Sequence, residues 1–188
     1  MEILTKYELR LRKEEIIDKI KAGAIFIHPT DTIYGLGCNA LDENAVKRLR
    51  KLKERQDTPF SVWSPSKEWI KENSQNLNSL IKWLGELPGA YTLITTINES
   101  SQLAPNVNPK NNSLGVRMPD HWFQEIVSEL NLPIVTTSAN KKGEAFMTSV
   151  ENLDPDIKAG VNFIIYEGEK KARPSRIVNL EKEEITER

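Results

Sequence analysis

Hydroxyl-bearing side chains and glycines are concentrated in residues 29–37, which read PTDTIYGLG. This segment directly follows an apolar, β-branched run, and ligand-binding loops of open α/β sheets stand at such strand ends. Threonine and tyrosine hydroxyls both donate and accept hydrogen bonds, and glycines let a ligand approach the backbone. Thr30, Thr32 and Tyr34 are therefore candidate contacts for a small polar ligand. An ordinary polar turn held by side-chain to backbone hydrogen bonds fits the same residues equally well.

A lysine and an arginine close the most basic stretch of the chain. Residues 47–55 contain six basic residues and one acidic residue. Lys53 and Arg55 combine a point charge with a planar fork, a pairing that suits a polyphosphate ligand. We expect both to end an exposed basic helix face. The helix dipole alone also favours cations at this end, and a run of charges is more often a solvated face than an anion site.

Further polar groups follow or occupy predicted strands. TTSAN at residues 136–140 comes after an apolar strand, so Ser138 and Asn140 should emerge at the same kind of strand end as the threonine-rich segment. An Asx or Ser/Thr turn is the structural alternative. Arg117 lies within a predicted strand and, if enclosed, could hold a carboxylate with two hydrogen bonds.

The elements that would position these residues alternate along the chain. Apolar residues at helical spacing predict helices at residues 8–21, 42–53, 67–71, 77–84 and 122–130. Short apolar runs bounded by turn residues predict strands at residues 24–27, 60–63, 91–97, 114–118, 133–137, 163–166 and 177–180. Some neighbouring strands have no helix between them, so the sheet should be mixed parallel and antiparallel. The polar loop at residues 99–113 is long enough to predict a lid or a mobile segment.

Length and composition predict one α/β domain over residues 1–188. With 38% hydrophobic and 28% charged residues, the composition is that of a soluble globular protein. We expect a cytoplasmic protein without a membrane partner, because no signal peptide or membrane-spanning run is evident. One cysteine, Cys38, and two histidines argue against a structural metal site. A net charge of −1 argues against tight nucleic-acid binding.

Several common enzyme motifs are absent from the sequence. The chain has no G-x-x-x-x-G-K-[ST] loop, no G-x-G-x-x-G, no G-x-S-x-G and no H-E-x-x-H. A P-loop NTPase, a standard dinucleotide-dependent dehydrogenase, an α/β-hydrolase and a zinc protease therefore lose their support.

An ordered set of short segments resembles one enzyme family, the YrdC/Sua5 family of threonylcarbamoyl-AMP synthases. The segments are PTDTIYGLG at residues 29–37, KER at 53–55, PGAYTL at 88–93, GVRMP at 115–119 and TSAN at 137–140. Each alone is a weak signal, and the ordered set is a strong one. The resemblance extends over residues 16–180 and fits the short, TsaC-like single-domain form.

The resemblance implies a YrdC-like fold, an open twisted sheet flanked by helices around a concave site. It implies a reaction of L-threonine, bicarbonate or CO2 and ATP that yields threonylcarbamoyl-AMP and pyrophosphate. ATP would be a substrate, and Mg²⁺ is expected with it. A partner complex would then transfer the threonylcarbamoyl group to adenosine 37 of tRNAs that read ANN codons. Weak contact with RNA or tRNA is a further expectation.

The family also implies roles for individual residues of this chain. The threonine pocket would be lined by Thr30, Thr32 and Tyr34, with Arg117 nearby. The nucleotide would contact Lys53, Arg55, Ser138, Asn140 and Ser175, of which Lys53 and Arg55 would be catalytic. No carboxylate cluster identifies a metal site built by the protein itself.

The chain departs from the family pattern next to the Lys-x-Arg motif. Gln56 stands where proline is usual, and Thr58 stands where lysine or histidine is usual. One cation is therefore missing from the expected site. Late in the chain, Arg176 and Asn179 replace a threonine and an aspartate that are common in longer members.

Two other functions stay open on the sequence alone. A paralogue that binds double-stranded RNA or tRNA without full synthase activity would use the basic clusters at residues 47–55 and 170–176 as phosphate contacts. A relative that handles carbamoyl-adenylate is the other alternative, although such domains usually lie in longer chains with zinc-finger cysteines.

Overall fold

The computed structural model describes residues 1–75 and 77–187. The strands of this part of the chain are β1 (Glu2–Leu4), β2 (Phe26–His28), β3 (Gly35–Asn39), β4 (Ser61–Trp63), β5 (Tyr91–Thr96), β6 (Ser113–Arg117), β7 (Ile134–Ser138), β8 (Phe163–Ile165), β9 (Arg176–Asn179) and β10 (Glu184–Thr186). The α-helices are α1 (Lys6–Leu11), α2 (Lys13–Lys21), α3 (Glu43–Leu52), α4 (Lys67–Asn73), α5 (Leu77–Leu84), α6 (Gln124–Leu130) and α7 (Pro155–Gly160). Every helix in these residues is too short or too polar to span a membrane.

All ten strands belong to one sheet, in the order β1-β8-β2-β3-β7-β4-β6-β5-β9-β10. Parallel pairs join β8 to β1 and β2, β4 to β6, and β5 to β9. Antiparallel pairs join β3 to β2 and β7, β4 to β7, β5 to β6, and β9 to β10. The predicted mixed sheet is confirmed.

The two faces of the sheet are covered to different extents. Alternate residues of a strand point to opposite faces, so Val62 and Val135 pack into one core while Trp63 and Ile134 pack into the other. The first core is closed by α3, α4, α5 and α7. The second is closed by α1, α2 and α6, and its strand residues come from β1, β2, β4, β7 and β8. The face that continues past this second core, over β3 to β5, carries the cavity described below.

The N-terminal helix differs from its prediction. The expected helix at residues 8–21 is two helices, which meet at Arg12 with φ −115° and ψ 27°. The first begins earlier because the Thr5 side chain accepts from the Glu8 amide while the Glu8 carboxylate accepts from the Thr5 amide. Arg12 bonds Glu2 of β1 and Glu15 of α2, which fixes the break against the sheet edge.

Several elements were not predicted from the sequence. They are β1, β3, α7 and β10. Residues 35–37, predicted as part of a loop, instead open β3 and pair with both β2 and β7. The remaining predicted helices and strands are present, with ends that differ by a few residues.

The loop at residues 99–113 does not behave as the predicted lid over most of its length. Its 3-10 turn, Pro105–Val107, lies against α3, and Val107 is buried in the first core. The Phe60 amide donates to the Val107 carbonyl at 3.0 Å. Among the loop residues, Ser113 reaches the candidate cavity, and the middle of the loop is held away from it.

Arg50 of α3 connects this loop to the segment that follows α3. Its guanidinium is buried and donates five hydrogen bonds of 2.6–3.1 Å. The acceptors are the backbone carbonyls of Arg55, Gln56, Thr58, Asn106 and Val107. Its carbon centre also lies 4.4 Å from the centre of the Phe60 ring. One side chain thus joins residues 55–58 to the 3-10 turn of the loop.

Replacing this guanidinium should destabilise the fold. We expect Arg50→Ala to lower the free energy of unfolding by about 3 kcal/mol or more, because five carbonyls lose their donor in a buried setting. Lys47→Ala on the exposed side of the same helix should change it by less than about 0.5 kcal/mol. Urea titrations measure both values. Equal losses in the two variants would contradict the role of Arg50.

Candidate functional site

A cavity of about 450 Å³ lies on the partly covered face of the sheet. Five neighbouring strands, β3, β7, β4, β6 and β5, supply its floor. Across them, Ser61 stands opposite both Thr136 and Gly115, and Gly115 stands opposite Ile94. The floor is therefore built mainly from small and hydroxyl-bearing residues. This volume lies in the range of small-molecule sites.

Two positions beneath the cavity have room only for glycine. A Cβ atom added to Gly115 would stand 2.5 Å from Ser61 Oγ, and one added to Gly35 would stand 2.5 Å from His28 Cε1. Such distances are far below van der Waals contact, so a larger residue at either position would have to displace its neighbour. His28 is fully buried against Phe123, and burial lowers its pKa to about 3, so it is neutral at ordinary pH.

The threonine-rich segment is a turn held by its own side chains, and one of its threonines lines the cavity. Thr30 Oγ1 donates to the Ile33 carbonyl at 2.8 Å and accepts from the Thr32 amide at 3.0 Å. Thr30 is buried beneath the loop, whereas Thr32 lines the cavity. The turn is thus held by side-chain to backbone hydrogen bonds. Because the turn is held in this way, the side chain of Thr32 is placed in the cavity lining.

Arg117 stands in the wall of the cavity beside an acidic partner. Its Nη2 lies 3.1 Å from Asp31 Oδ1 and 3.2 Å from Thr32 Oγ1. Both side chains of the ion pair are about one-tenth exposed, at 10% and 11%. Asp31 also accepts from the Asp120 amide at 3.2 Å. These contacts fix the guanidinium in one orientation, as a recognition site for a carboxylate requires.

Tyr34 uses its hydroxyl to hold a neighbouring segment. The hydroxyl donates to the Gly168 carbonyl at 2.6 Å and accepts from the Glu167 amide at 3.1 Å. Burial raises the pKa of this phenol to about 12, so it stays protonated. The ring stacks on Tyr166 at 5.7 Å. Tyr34 therefore lines the cavity while its polar atom is engaged in the fold.

The segment after β8 is clamped over the threonine-rich loop. Glu167 accepts from His121 Nε2 at 3.0 Å and from the Trp122 indole at 2.7 Å, and its pKa is lowered to about 2 because these donors outweigh its burial. Lys170 Nζ lies 2.5 Å from Glu167 and donates to the Thr30 carbonyl at 2.9 Å. The clamp leads the chain toward Ser175, which lines the cavity.

Lys53 does not end an exposed face, and this expectation was wrong. The residue is 2% exposed. Its Nζ donates to the Ser138 carbonyl at 2.6 Å, to the Asn140 carbonyl at 2.7 Å and to Asn140 Oδ1 at 3.3 Å. Burial, with a smaller effect of the Arg55 charge, lowers its pKa to about 7. Lys53 thus lies behind the cavity and holds the turn after β7.

Arg55 does line the cavity. Its Nη2 donates to the Pro59 carbonyl at 2.6 Å and its Nη1 to Thr137 Oγ1 at 3.3 Å. The guanidinium also lies 5.1 Å from the centre of the Phe60 ring. These contacts orient a planar cation at the rim, where phosphate oxygens could accept from it.

The three remaining predicted residues differ in whether they line the cavity: Ser138 and Ser175 do, and Asn140 does not. Ser138 lines the cavity, and its hydroxyl donates to Asn140 Oδ1 at 2.5 Å. Asn140 lies behind it and donates from Nδ2 to the Glu144 carbonyl at 2.6 Å. Ser175 Oγ lies 2.7 Å from Thr92 Oγ1, and both residues line the opposite side of the cavity.

Six of the predicted residues therefore line one cavity: Thr32, Tyr34, Arg55, Arg117, Ser138 and Ser175. Thr30, Lys53 and Asn140 stand behind them and hold them in place. Four floor residues were not predicted from the sequence to line a site: Ser61, Thr92, Gly115 and Thr136. The alternation of small and apolar residues along β4 to β7 indicates that one face of these strands is polar. Which face stays open depends on where the helices cover the sheet, and the alternation alone does not determine this.

The charge of the cavity favours an anionic ligand. Among the described residues that line it, two are arginines, Arg55 and Arg117, and none is aspartate or glutamate. No group of three or more histidine, cysteine, aspartate or glutamate side chains in the described chain could hold a metal ion.

Four of the six cations at residues 47–55 are engaged inside the fold, whereas Lys47 and Lys51 are exposed. Donors to backbone carbonyls are Arg48, Arg50, Lys53 and Arg55. In the later cluster, Lys171 pairs with Glu169 at 3.0 Å, and Arg176 pairs with Glu187 at 3.1 Å. The first cluster therefore presents two exposed lysines and not six cations, whereas the ion pairs of Lys171 and Arg176 are more than half exposed.

Comparisons with known proteins show which family this sequence is similar to. A sequence model of the Sua5/YciO/YrdC family, described as telomere recombination, matches residues 18–187. A protein of Methanocaldococcus jannaschii, provisionally assigned as a threonylcarbamoyl-AMP synthase, is 33% identical over 185 residues, covering 96% of this chain and 84% of that protein. The threonylcarbamoyl-AMP synthase of Pyrococcus abyssi is 34% identical over 155 residues, covering 80% of this chain and 45% of that protein.

A solved structure matches the fold. The crystal structure of P. abyssi Sua5 complexed with L-threonine aligns with a TM-score of 0.85 and 28% identity. The alignment covers 98% of this chain and 55% of that chain. The chain thus spans about half the length of the P. abyssi protein and most of the M. jannaschii relative. The predicted YrdC-like fold is confirmed.

The lowered pKa of Lys53 predicts a pH-dependent stability. Between about pH 7 and the ordinary value of 10.5, the unfolded chain binds more protons on Lys53 than the folded protein does. The free energy of unfolding of the wild type, relative to that of Lys53→Met, should therefore rise with pH across this window. Denaturant titrations at about pH 7, 8 and 9 measure the difference. A difference that is constant or falls with pH would contradict the prediction.

Proposed function

The chain belongs to the Sua5/YciO/YrdC family, and on that premise we propose that it is an L-threonylcarbamoyl-AMP synthase. It would combine L-threonine, bicarbonate or CO2, and ATP into threonylcarbamoyl-AMP and pyrophosphate. The observation that carries the proposal is the single cavity in which an oriented Arg117, an oriented Arg55 and a hydroxyl-lined floor face one another. An amino acid carboxylate and a nucleotide phosphate are the two anions that this pair of cations suits.

Threonine binds at the Arg117 end in this proposal. Its carboxylate accepts from the guanidinium that Asp31 orients, and its hydroxyl bonds Thr32. The threonine nitrogen attacks CO2, loses a proton and becomes a carbamate. Positioning the carbamate oxygen against the α-phosphate is the main contribution that a protein makes to such a reaction.

ATP binds at the Arg55 end. The carbamate oxygen forms a bond to the α-phosphorus, the bond from that phosphorus to the bridging oxygen breaks, and pyrophosphate leaves. Arg55 neutralises charge on the phosphates, while Lys53 acts indirectly by holding the turn that presents Ser138. Mg²⁺ would enter on the phosphates of ATP, because the cavity lining among the described residues has no carboxylate.

The product is a mixed anhydride that water hydrolyses, so a second enzyme must consume it promptly. We assign that step to the complex that transfers the threonylcarbamoyl group to adenosine 37 of ANN-reading tRNAs, and we assign both steps to the cytoplasm. The RNA-binding alternative is not favoured, because four of the six cations at residues 47–55 donate to backbone carbonyls instead of forming an exposed basic surface.

Purified protein incubated with ATP, bicarbonate and labelled threonine should form threonylcarbamoyl-AMP. Serine should be used about fivefold less well or worse, because an apolar niche for one methyl group is worth about 1 kcal/mol or more. Chromatography with mass spectrometry identifies the adenylate and the pyrophosphate. Equal use of serine and threonine would contradict the threonine pocket. Carbamoyl-adenylate formed from ATP when carbamoyl phosphate replaces threonine and bicarbonate would favour the carbamoyl-handling alternative.

Arg55→Ala should weaken the binding of a non-hydrolysable ATP analogue about tenfold or more, because a charge-assisted hydrogen bond to phosphate is lost. Calorimetry measures the affinity, and Lys71→Ala on α4, which does not line the cavity, is the control for net charge. Threonine binding without nucleotide should be unchanged. ATP-analogue affinity equal to that of the wild type would remove Arg55 from the phosphate site.

A further inference from the structure

A second cavity of about 770 Å³ adjoins the candidate active site. Thr58 lines both cavities, so the two meet at this residue. Four lysines line the second cavity: Lys47, Lys51, Lys110 and Lys142. We call these four residues and the space between them the lysine groove.

The lysine groove has a positive charge that its acidic residues do not cancel. Its lining includes two acidic residues, Glu54 and Asp57. Asp57 lies 3.8 Å from Lys110, and both side chains are more than half exposed, so this pair is weak. Glu54 lies 3.3 Å from Lys141, which is outside the groove lining. In a chain with net charge −1, this is a local concentration of cations.

Two of these lysines stand in an arrangement that helix stability alone disfavours. Lys47 and Lys51 are exposed and lie four residues apart on α3, where like charges repel. An anion between them would remove the repulsion. The other two lysines come from separate loops, and the Lys142 amide donates to the Lys53 carbonyl at 3.3 Å, which joins its loop to the end of α3.

Thr58 makes a passage between the two cavities. Its side chain is small and exposed, and Arg50 fixes its backbone carbonyl at 3.1 Å. Arg55, on the active-site side, and Lys51, on the groove side, both belong to the turn of chain that ends α3. A chain of phosphates that begins at Arg55 can thus continue past Thr58 into the groove.

We propose that the lysine groove binds linear polyphosphate, either the terminal phosphates of a nucleotide seated in the active-site cavity or the pyrophosphate that leaves it. The inference rests on the proposed function for the identity of the nucleotide.

Inorganic tripolyphosphate is the probe that tests the groove directly. Calorimetry should give an affinity about tenfold lower for Lys47→Gln/Lys51→Gln than for the wild type, and the wild-type affinity should fall steeply with salt because the contacts are ionic. Lys71→Gln/Lys82→Gln on α4 and α5 is the matched control, since it removes the same charge outside both cavities. Glutamine favours helices about as well as lysine, so both variants should fold. Equal affinities in the two double variants would overturn the proposal.

Two kinetic arms separate the sources of the phosphate. A raised KM for ATP in Lys47→Gln/Lys51→Gln, with unchanged inhibition by pyrophosphate, identifies the entering nucleotide. Weaker inhibition by pyrophosphate with an unchanged KM identifies the leaving group. A short RNA duplex that binds the wild type more tightly than tripolyphosphate does, and that the groove variant no longer binds, would overturn the proposal in favour of nucleic acid.

The tripolyphosphate measurement needs neither threonine nor turnover, so it fails separately from the proposed function. If the wild type binds tripolyphosphate through Lys47 and Lys51 but forms no threonylcarbamoyl-AMP, the groove stands and the synthase assignment falls. If the synthase is active while groove and control variants bind tripolyphosphate equally, the synthase stands and the groove falls.

Discussion

Two buried cations at the end of α3 are the constraint on which the site depends. Arg50 and Lys53 carry charge into the protein interior, which is costly unless every donor has an acceptor. The acceptors are backbone oxygens of three irregular segments: residues 55–58, residues 106–107 and residues 138–140. Because these cations need those oxygens, the segments cannot move independently of α3. Arg55, Thr58 and Ser138, which line the cavity, are therefore positioned by two cations that do not line it.

The cavity exists because the helices on one face of the sheet cover only part of its width. On the first face, apolar residues from nearly every strand pack under α3, α4, α5 and α7. On the second face, α1, α2 and α6 cover the second core with its aromatic rings, and beyond this core glycine, serine and threonine line the cavity over β3, β7, β4, β6 and β5. Small hydroxyl residues in strands cost packing energy, and their hydrogen-bonding capacity is directed to the open side. The same alternation that fills one face leaves a polar floor on the other.

Most of the sheet could be predicted from alternation and turn residues, whereas the burial of Lys53 could not be predicted from residue type. The spacing did contain the signal. Arg50 lies four residues after Val46, and Lys53 lies four residues after Leu49, so both continue the buried face of α3. We predicted Lys53 to be exposed because it is charged, although its spacing from Leu49 indicated a buried position. The missed α7 begins with Asp154 as N-cap and proline in its first turn, a start signal in a segment too short for apolar periodicity. Strand β3 was not predicted because its glycines lower strand propensity. Glycine is needed there because a Cβ atom at Gly35 or Gly37 would come too close to His28 on the paired strand β2.

A short motif in this fold mixes residues from two layers, and the sequence cannot separate them. In KER, Arg55 lines the cavity while Lys53 lies behind it. In TSAN, Ser138 lines the cavity while Asn140 orients it. The two motifs meet because the ammonium of one bonds the backbone of the other, so neither could keep its geometry alone. This coupling explains why residues 85 and 87 positions apart behave as one unit. It also means that the loss of activity in a Lys53 variant would measure the position of Ser138 and Asn140 before it measured any contact with phosphate.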